Sequence, residues 1–129
     1  MIDDFRFLFK GIKTVKSSEI EDIDLFITLD SADLDRIGKD AVELYRKSKK
    51  TICIDHHHTN DGYADFNVVE KNSSSTCEVL FKLLKKELID EEIATSILTG
   101  ISTDTGSFKY ENTSSCLLYT SPSPRDATL

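Results

Sequence analysis

The sequence predicts an α/β fold, a parallel sheet with flanking helices. Three observations carry this. Two short runs, Leu25-Phe26-Ile27-Thr28-Leu29 and Thr51-Ile52-Cys53-Ile54, are apolar and rich in β-branched residues, as buried strands are. Between them, Lys39 to Lys49 puts Ala41, Leu44 and Tyr45 on one helical face. Each run ends in an acid, Asp30 or Asp55. Strand, helix, strand with carboxylates at matching ends reads as a βαβ unit, and neighbouring strands would turn both carboxylates toward one crevice.

Bulk properties bound the rest. A chain of 129 residues makes at most one small domain. No stretch approaches the roughly 18 apolar residues of a membrane span. The start, Met-Ile-Asp-Asp, lacks the apolar region of a secretory signal, so a cytoplasmic location is the expectation. Cys53, Cys77 and Cys116 are odd in number and widely spaced, which fits neither a disulfide framework nor a zinc knuckle. Cys53 and Cys77 read as small core residues. A net charge of −7 argues against a broad basic face for long nucleic acid. It leaves room for a short anion held at a metal site.

In chain order, Met1 to Ser18 carries Phe5, Phe7, Leu8, Phe9 and Ile12, too apolar for exposure. This predicts a strand or short helix packed on something. Glu19 to Asp24 is an acidic connector. After the first strand, Ser31 to Gly38 is turn-like, with Ser31 or Asp33 placed to cap a short helical turn. The following helix ends in lysines, as its dipole favours. The second strand runs into Asp55-His56-His57-His58 and then Thr59-Asn60-Asp61-Gly62. Three imidazoles behind an acid are not core. They sit on a turn at a strand's C-terminal end, where open α/β sheets bind ligands. Imidazole with carboxylate suits Zn(II), Mn(II) or Fe(II). The plain alternative is a surface turn that happens to carry histidines.

Phe66 to Val69 reads as another short strand. Ser73-Ser74-Ser75-Thr76 enters a helix bearing Val79, Leu80, Leu83, Leu84 and Leu88, and Ser75 with Glu78 has the spacing of a capping box. Such an entry can hold an anion on its backbone N–H groups, or simply cap. Asp90 caps the next helix, whose stripe is Ile93, Ala94, Ile97, Leu98 and Ile101. It runs into Asp104, in a turn with Gly106, and Phe108 and Tyr110 predict a short strand after it. An acid in such a turn is more often structural than functional. Residues 116–129 hold two prolines and no apolar period, so a disordered tail is expected. From Cys116 through Arg125-Asp126 the string also resembles a translated sequencing-adaptor tail.

Taken together these motifs resemble the DHH phosphoesterases. Asp55-His56-His57 matches the signature, Leu29-Asp30-Ser31-Ala32-Asp33-Leu34-Asp35-Arg36-Ile37-Gly38 a second motif, and Gly100-Ile101-Ser102-Thr103-Asp104-Thr105-Gly106-Ser107-Phe108 a fourth. Asp61 and Ser73-Ser74-Ser75-Thr76 are similar to the family's loop and helix entry. Order and spacing agree from roughly Phe5 to Ser115. The nearest subgroup is the bifunctional oligoribonuclease and pAp phosphatase (NrnA-like) type.

The resemblance implies a two-Mn(II) site in the intact parent. In it Asp30 bridges, and His56 and Asp104 complete one ion. His57 contacts the substrate phosphate. Asp55 orients the histidine pair, the usual task of a carboxylate behind a metal-bound imidazole. Ser74 and Ser75 are candidate substrate contacts, and His58 has no assigned role. The implied activity is hydrolysis of short oligoribonucleotides and of 3′-phosphoadenosine 5′-phosphate (pAp), with no membrane partner and room for a homodimer of the parent.

Two departures qualify this. The family's first motif, a His and an Asp-x-Asp, has no counterpart, and neither has its second domain, with a Gly-rich His-containing substrate loop. Residues 1–115 are therefore expected to be a partial DHH domain, with little activity in isolation. The alternatives are a cyclic-dinucleotide phosphodiesterase, another hydrolase of the family, or a non-catalytic nucleotide- or partner-binding module. Cyclic-dinucleotide members usually carry arginines where this chain has His58-Thr59.

Overall fold

The computed structural model of the chain describes residues 2–122. At its centre is a three-stranded parallel sheet of β1 (Leu25–Leu29), β2 (Lys50–Asp55) and β3 (Phe66–Val69), in that spatial order. The predicted fold class is thus the observed one. Helix α1 (Lys39–Lys47) connects β1 to β2. Its Tyr45 ring meets Phe26 edge-on, with 5.7 Å between centroids. Leu29 pairs with Ile54, so Asp30 and Asp55 stand level at the ends of adjacent strands.

The link from β2 to β3, residues 56–65, contains no helix. Parallel strands ordinarily need a longer, helical crossover, and here side chains take its place. The Asp65 carboxylate accepts from the Thr51 backbone N–H at 2.9 Å. The Tyr45 hydroxyl donates to the Tyr63 carbonyl at 2.7 Å. The Tyr63 hydroxyl lies 2.9 Å from Thr28 Oγ1 and 3.0 Å from the Ser31 carbonyl, and burial pushes its pKa up to about 12. These contacts tie the loop carrying the histidines to the end of β1.

Beyond β3 lie α2 (Thr76–Leu83), α3 (Glu91–Asp104) and α4 (Ser115–Thr120). Both predicted caps form. Ser75 Oγ accepts from the Glu78 N–H at 3.1 Å, and Asp90 Oδ1 from the Ile93 N–H at 2.8 Å. Glu78 reaches back to the Ser74 N–H at 2.7 Å, one residue before the cap. Helices α2 and α3 pack closely at Gly100, where a Cβ would collide with Cys77 Sγ. The main core joins Ile97 and Ile101 to Leu117, with Phe81 and Phe108 against them. The opposite extreme is the sheet face away from Phe26 and Thr28. There Leu25, Ile27, Leu29 and Phe66 are about half exposed, so β1 is not the buried strand its apolar run predicts.

Four further expectations need correction. Residues Ile2–Phe9 form a 3₁₀ helix, and Phe7, Phe9 and Ile12 are more than half exposed. A 3₁₀ helix repeats every three residues, so Phe5 and Leu8 share the inward stripe and Phe7 leaves it. Helix α2 stops at Leu83 because Leu84 takes extended backbone, which moves Leu88 to a separate exposed turn. Phe108 and Tyr110 are in a turn, not a strand. Gly106, Ser107 and Phe108 all have positive φ, and the Lys109 and Tyr110 N–H groups both return to the Thr105 carbonyl. Finally, disorder does not begin at Cys116. Ser114 caps α4 through the Leu117 N–H at 3.0 Å, and Leu117 is buried. Of Leu117, Leu118 and Tyr119 the first is buried and the other two are exposed, and six residues are too few to show a period. Residues 123–129 of the expected tail lie outside the described residues.

Candidate metal centre

The site forms where β1 and β2 end. Asp30 follows β1 with φ of 58°, in the left-handed region that aspartate tolerates better than most residues. Its N–H donates to the Ile54 carbonyl at 3.1 Å, which ties the turn to β2. The carboxylate projects outward and its side chain is 52% exposed. Thr76, the first residue of α2, donates to its Oδ1 at 2.8 Å.

Asp55 has the opposite setting. It is fully buried and accepts three hydrogen bonds. His57 Nδ1 lies 2.7 Å away, the His56 N–H donates at 2.8 Å, and Asn60 Nδ2 donates at 2.7 Å. Burial pushes this carboxyl up, but the hydrogen bonds from Asn60, His57 and the backbone outweigh it and hold the pKa below its ordinary value. The expectation that Asp30 and Asp55 open on one crevice is therefore corrected. Asp30 opens on it, while Asp55 lies beneath it and reaches it through His57.

The two imidazoles take defined tautomers, assigned from their partners. His56 Nδ1 lies 3.2 Å from the Ser73 carbonyl, which can only accept. His57 Nδ1 faces the Asp55 carboxylate. Each ring thus keeps its proton on Nδ1 and leaves the Nε2 lone pair free, the arrangement of a metal-binding histidine. His56 Nε2 stands 3.5 Å from Asp30 Oδ1 and 3.7 Å from Asp104 Oδ2. Among the described residues, Asp30, His56 and His57 each bring a donor atom within 4.8 Å of the others. Asp104 lies at the edge of this group, beside His56. Its pKa is raised, first by burial and then by the Asp30 charge, with His56 and His57 pulling the other way. A carboxyl held uphill in this way gains from a nearby cation. The mixed oxygen and imidazole-nitrogen donor set fits a divalent transition metal of the Mn(II), Fe(II) or Zn(II) kind.

Other sequence candidates fall less favourably. Ser74 and Ser75 are 2% and 0% exposed. Ser75 spends its hydroxyl on the cap, so neither side chain presents itself to a substrate. His58 is exposed and lines a cavity of about 420 Å³ with His57, Lys71, Ser73 and Asn112. Three supporting residues gave no signal of their own in the sequence. Asn60 is buried and joins Asp55 to the Ser31 carbonyl. Asn112 donates to the Ser74 and Asp104 carbonyls, both at 3.1 Å. Thr76 is the third. Their common feature, a small polar residue within or just past a motif, is too frequent in turns to stand out.

Comparison with known proteins gives the family. The profile described as "DHH family, N-terminal domain" matches residues 4–101. The bifunctional oligoribonuclease and PAP phosphatase NrnA of Thermus thermophilus is 38% identical over 94 residues, covering 67% of this chain and 26% of that protein. The protein of that name from Bacillus subtilis is 32% identical over 94 residues, covering 69% of this chain and 29% of its own length. Among solved structures, an exopolyphosphatase-related protein from Bacteroides fragilis superposes with a TM-score of 0.73 at 26% identity. That match covers 82% of this chain and 32% of the other. The chain thus spans between a quarter and a third of the length of these relatives. With the DHH profile covering most of the chain, and its Asp55-His56-His57 signature built into the site itself, the protein belongs to the DHH family.

Proposed function

We propose that these residues belong to a Mn(II)-dependent phosphoesterase that hydrolyses short oligoribonucleotides and pAp. The observation that carries this is the convergence of Asp30, His56 and His57 at the open ends of parallel strands, with Asp104 beside them and Asp55 beneath. The names of the relatives at 32% to 38% identity support the substrate class. Asp30, His56 and Asp104 would hold the ion. Such an ion, when bound, supplies a Lewis acid for phosphoryl oxygens. His57 keeps its Nδ1 proton on Asp55 and lines a cavity with Lys71, where it would meet a substrate phosphate. Asp55 stabilises that tautomer and any positive charge the ring acquires. Among the described residues Asp30, His56 and His57 form one donor group with Asp104 at its edge, enough for one ion. We therefore expect the 129-residue chain alone to turn over little substrate.

The test is a comparison of rates on pAp, a diribonucleotide, pyrophosphate and cyclic di-AMP, using the full-length gene product with Mn(II). Preference for pAp and the diribonucleotide is expected. Preference for cyclic di-AMP would move the protein to the cyclic-dinucleotide branch. Asp30→Ala in the same protein should abolish hydrolysis, and retained activity would remove Asp30 from the site.

A further inference from the structure

We infer that Thr76 is a positioning residue, whose hydroxyl fixes the Asp30 carboxylate in its cation-binding orientation. The inference rests on the metal reading above and adds a residue to it. Thr76 is 4% exposed and opens α2. The helix does not need its hydroxyl, because Ser75 already caps the Glu78 N–H. That hydroxyl instead reaches 46 residues back along the chain, to Asp30 Oδ1 at 2.8 Å. Oδ1 is the same oxygen that stands 3.5 Å from His56 Nε2 and 4.0 Å from His57 Nδ1.

Asp30 needs such a tether. Its side chain is half exposed, so its rotamers would otherwise be free and freezing one would cost entropy on metal binding. Its backbone is held from the β2 side by the Ile54 carbonyl. Thr76 supplies the second hold, from α2. A carboxylate oxygen has two lone pairs, so the hydrogen bond leaves one of them, and the whole of Oδ2, for a cation. The Ser73–Thr76 run then has two separate duties. Ser73 orients the imidazole of His56 through its carbonyl, and Thr76 orients the carboxylate facing that imidazole. Partners behind a metal ligand typically contribute about 10–100-fold to metal affinity.

The experiment is Mn(II) titration of the purified chain, followed by the electron paramagnetic resonance signal of free Mn(II). Thr76→Val keeps the shape and removes the hydroxyl. It should weaken binding by about 10–100-fold, with an unchanged circular dichroism spectrum. Thr76→Ser restores the donor and should bind nearly as wild type does. If the valine variant does not fold, Thr76→Ala replaces it in the same comparison. Asp30→Asn is the reference and should lose binding. Wild-type affinity in Thr76→Val, with binding lost in Asp30→Asn, overturns the inference and leaves the metal reading standing. Wild-type affinity in Asp30→Asn, or no Mn(II) uptake by the wild-type chain, overturns both.

Discussion

Asp30 and Asp55 leave adjacent strands at the same level, and their surroundings are opposite. Asp55 is fully buried and takes three hydrogen bonds, and its proton affinity is lowered by them. Asp30 is half exposed, sits on left-handed backbone and takes one side-chain hydrogen bond. Asp104 resembles Asp30 rather than Asp55. It is partly exposed, and burial together with the Asp30 charge raises its pKa. One carboxylate is already satisfied by the protein. The other two are crowded against each other beside the imidazoles of His56 and His57. The satisfied group sets geometry, and the crowded pair is the one whose repulsion a cation would relieve.

The contrast can be broken most severely at Asp55. Asp55→Ala should cost about 3 kcal/mol, because it strands the buried donors of Asn60 and the His56 backbone. Urea unfolding measures this. The pH dependence follows from the sign of the shift. A carboxyl with a lowered folded pKa stabilises above its ordinary value of 3.8, and this is lost as pH falls through the folded value. The acid limb of the wild-type stability curve should therefore flatten in Asp55→Ala. An unchanged limb would mean that Asp55 is not the buried anion described.

A smaller effect is expected at Gly100, which sets how closely α3 approaches α2 and so where Asp104 ends up. Gly100→Ala places its Cβ against Cys77 Sγ and should cost about 2 kcal/mol through overpacking. Cys77→Ala in the same chain should recover much of it, since the two sites are in direct contact. Additive losses in the double variant would put the strain elsewhere. Burial, then the charges of Asp104 and Asp30, pushes the Cys77 thiol up.

The smallest effect carries the opposite sign. Asp104 has a raised pKa, so its ionised form is a cost above that pKa and the cost fades as pH falls through it. Asp104→Asn should therefore raise the melting temperature of the metal-free chain at pH 7 while weakening Mn(II) binding. The gain should be about 0.5 kcal/mol or less, the size of an ordinary surface substitution. It should shrink in acid. Loss of stability at pH 7 would place Asp104 with Asp55, as a group the fold itself needs.

Local patterns were enough for much of this. The strands at Leu25–Leu29, Phe66–Val69 and around Ile52 show as apolar β-branched runs, and the caps at Ser75 and Asp90 as short polar residues before a helical period. Asp30, His56 and Asp104 stand out as polar groups ending apolar segments, where burial is not the natural reason for them. The turn at Gly106 to Phe108 looks like a strand in sequence because alternating aromatics imitate one, while its left-handed backbone leaves no periodic trace.

Hydrophobic period and chain direction dictate that carboxylates and imidazoles gather at strand ends in a parallel α/β sheet. Tertiary structure alone decided which of them is buried and which is offered. Asn60 reaches Asp55 from the loop, Thr76 reaches Asp30 from α2, and Asn112 reaches the end of α3 from the turn beyond it. Those hydrogen bonds join residues whose separation along the chain follows no repeat. They exist only once packing has brought the elements together.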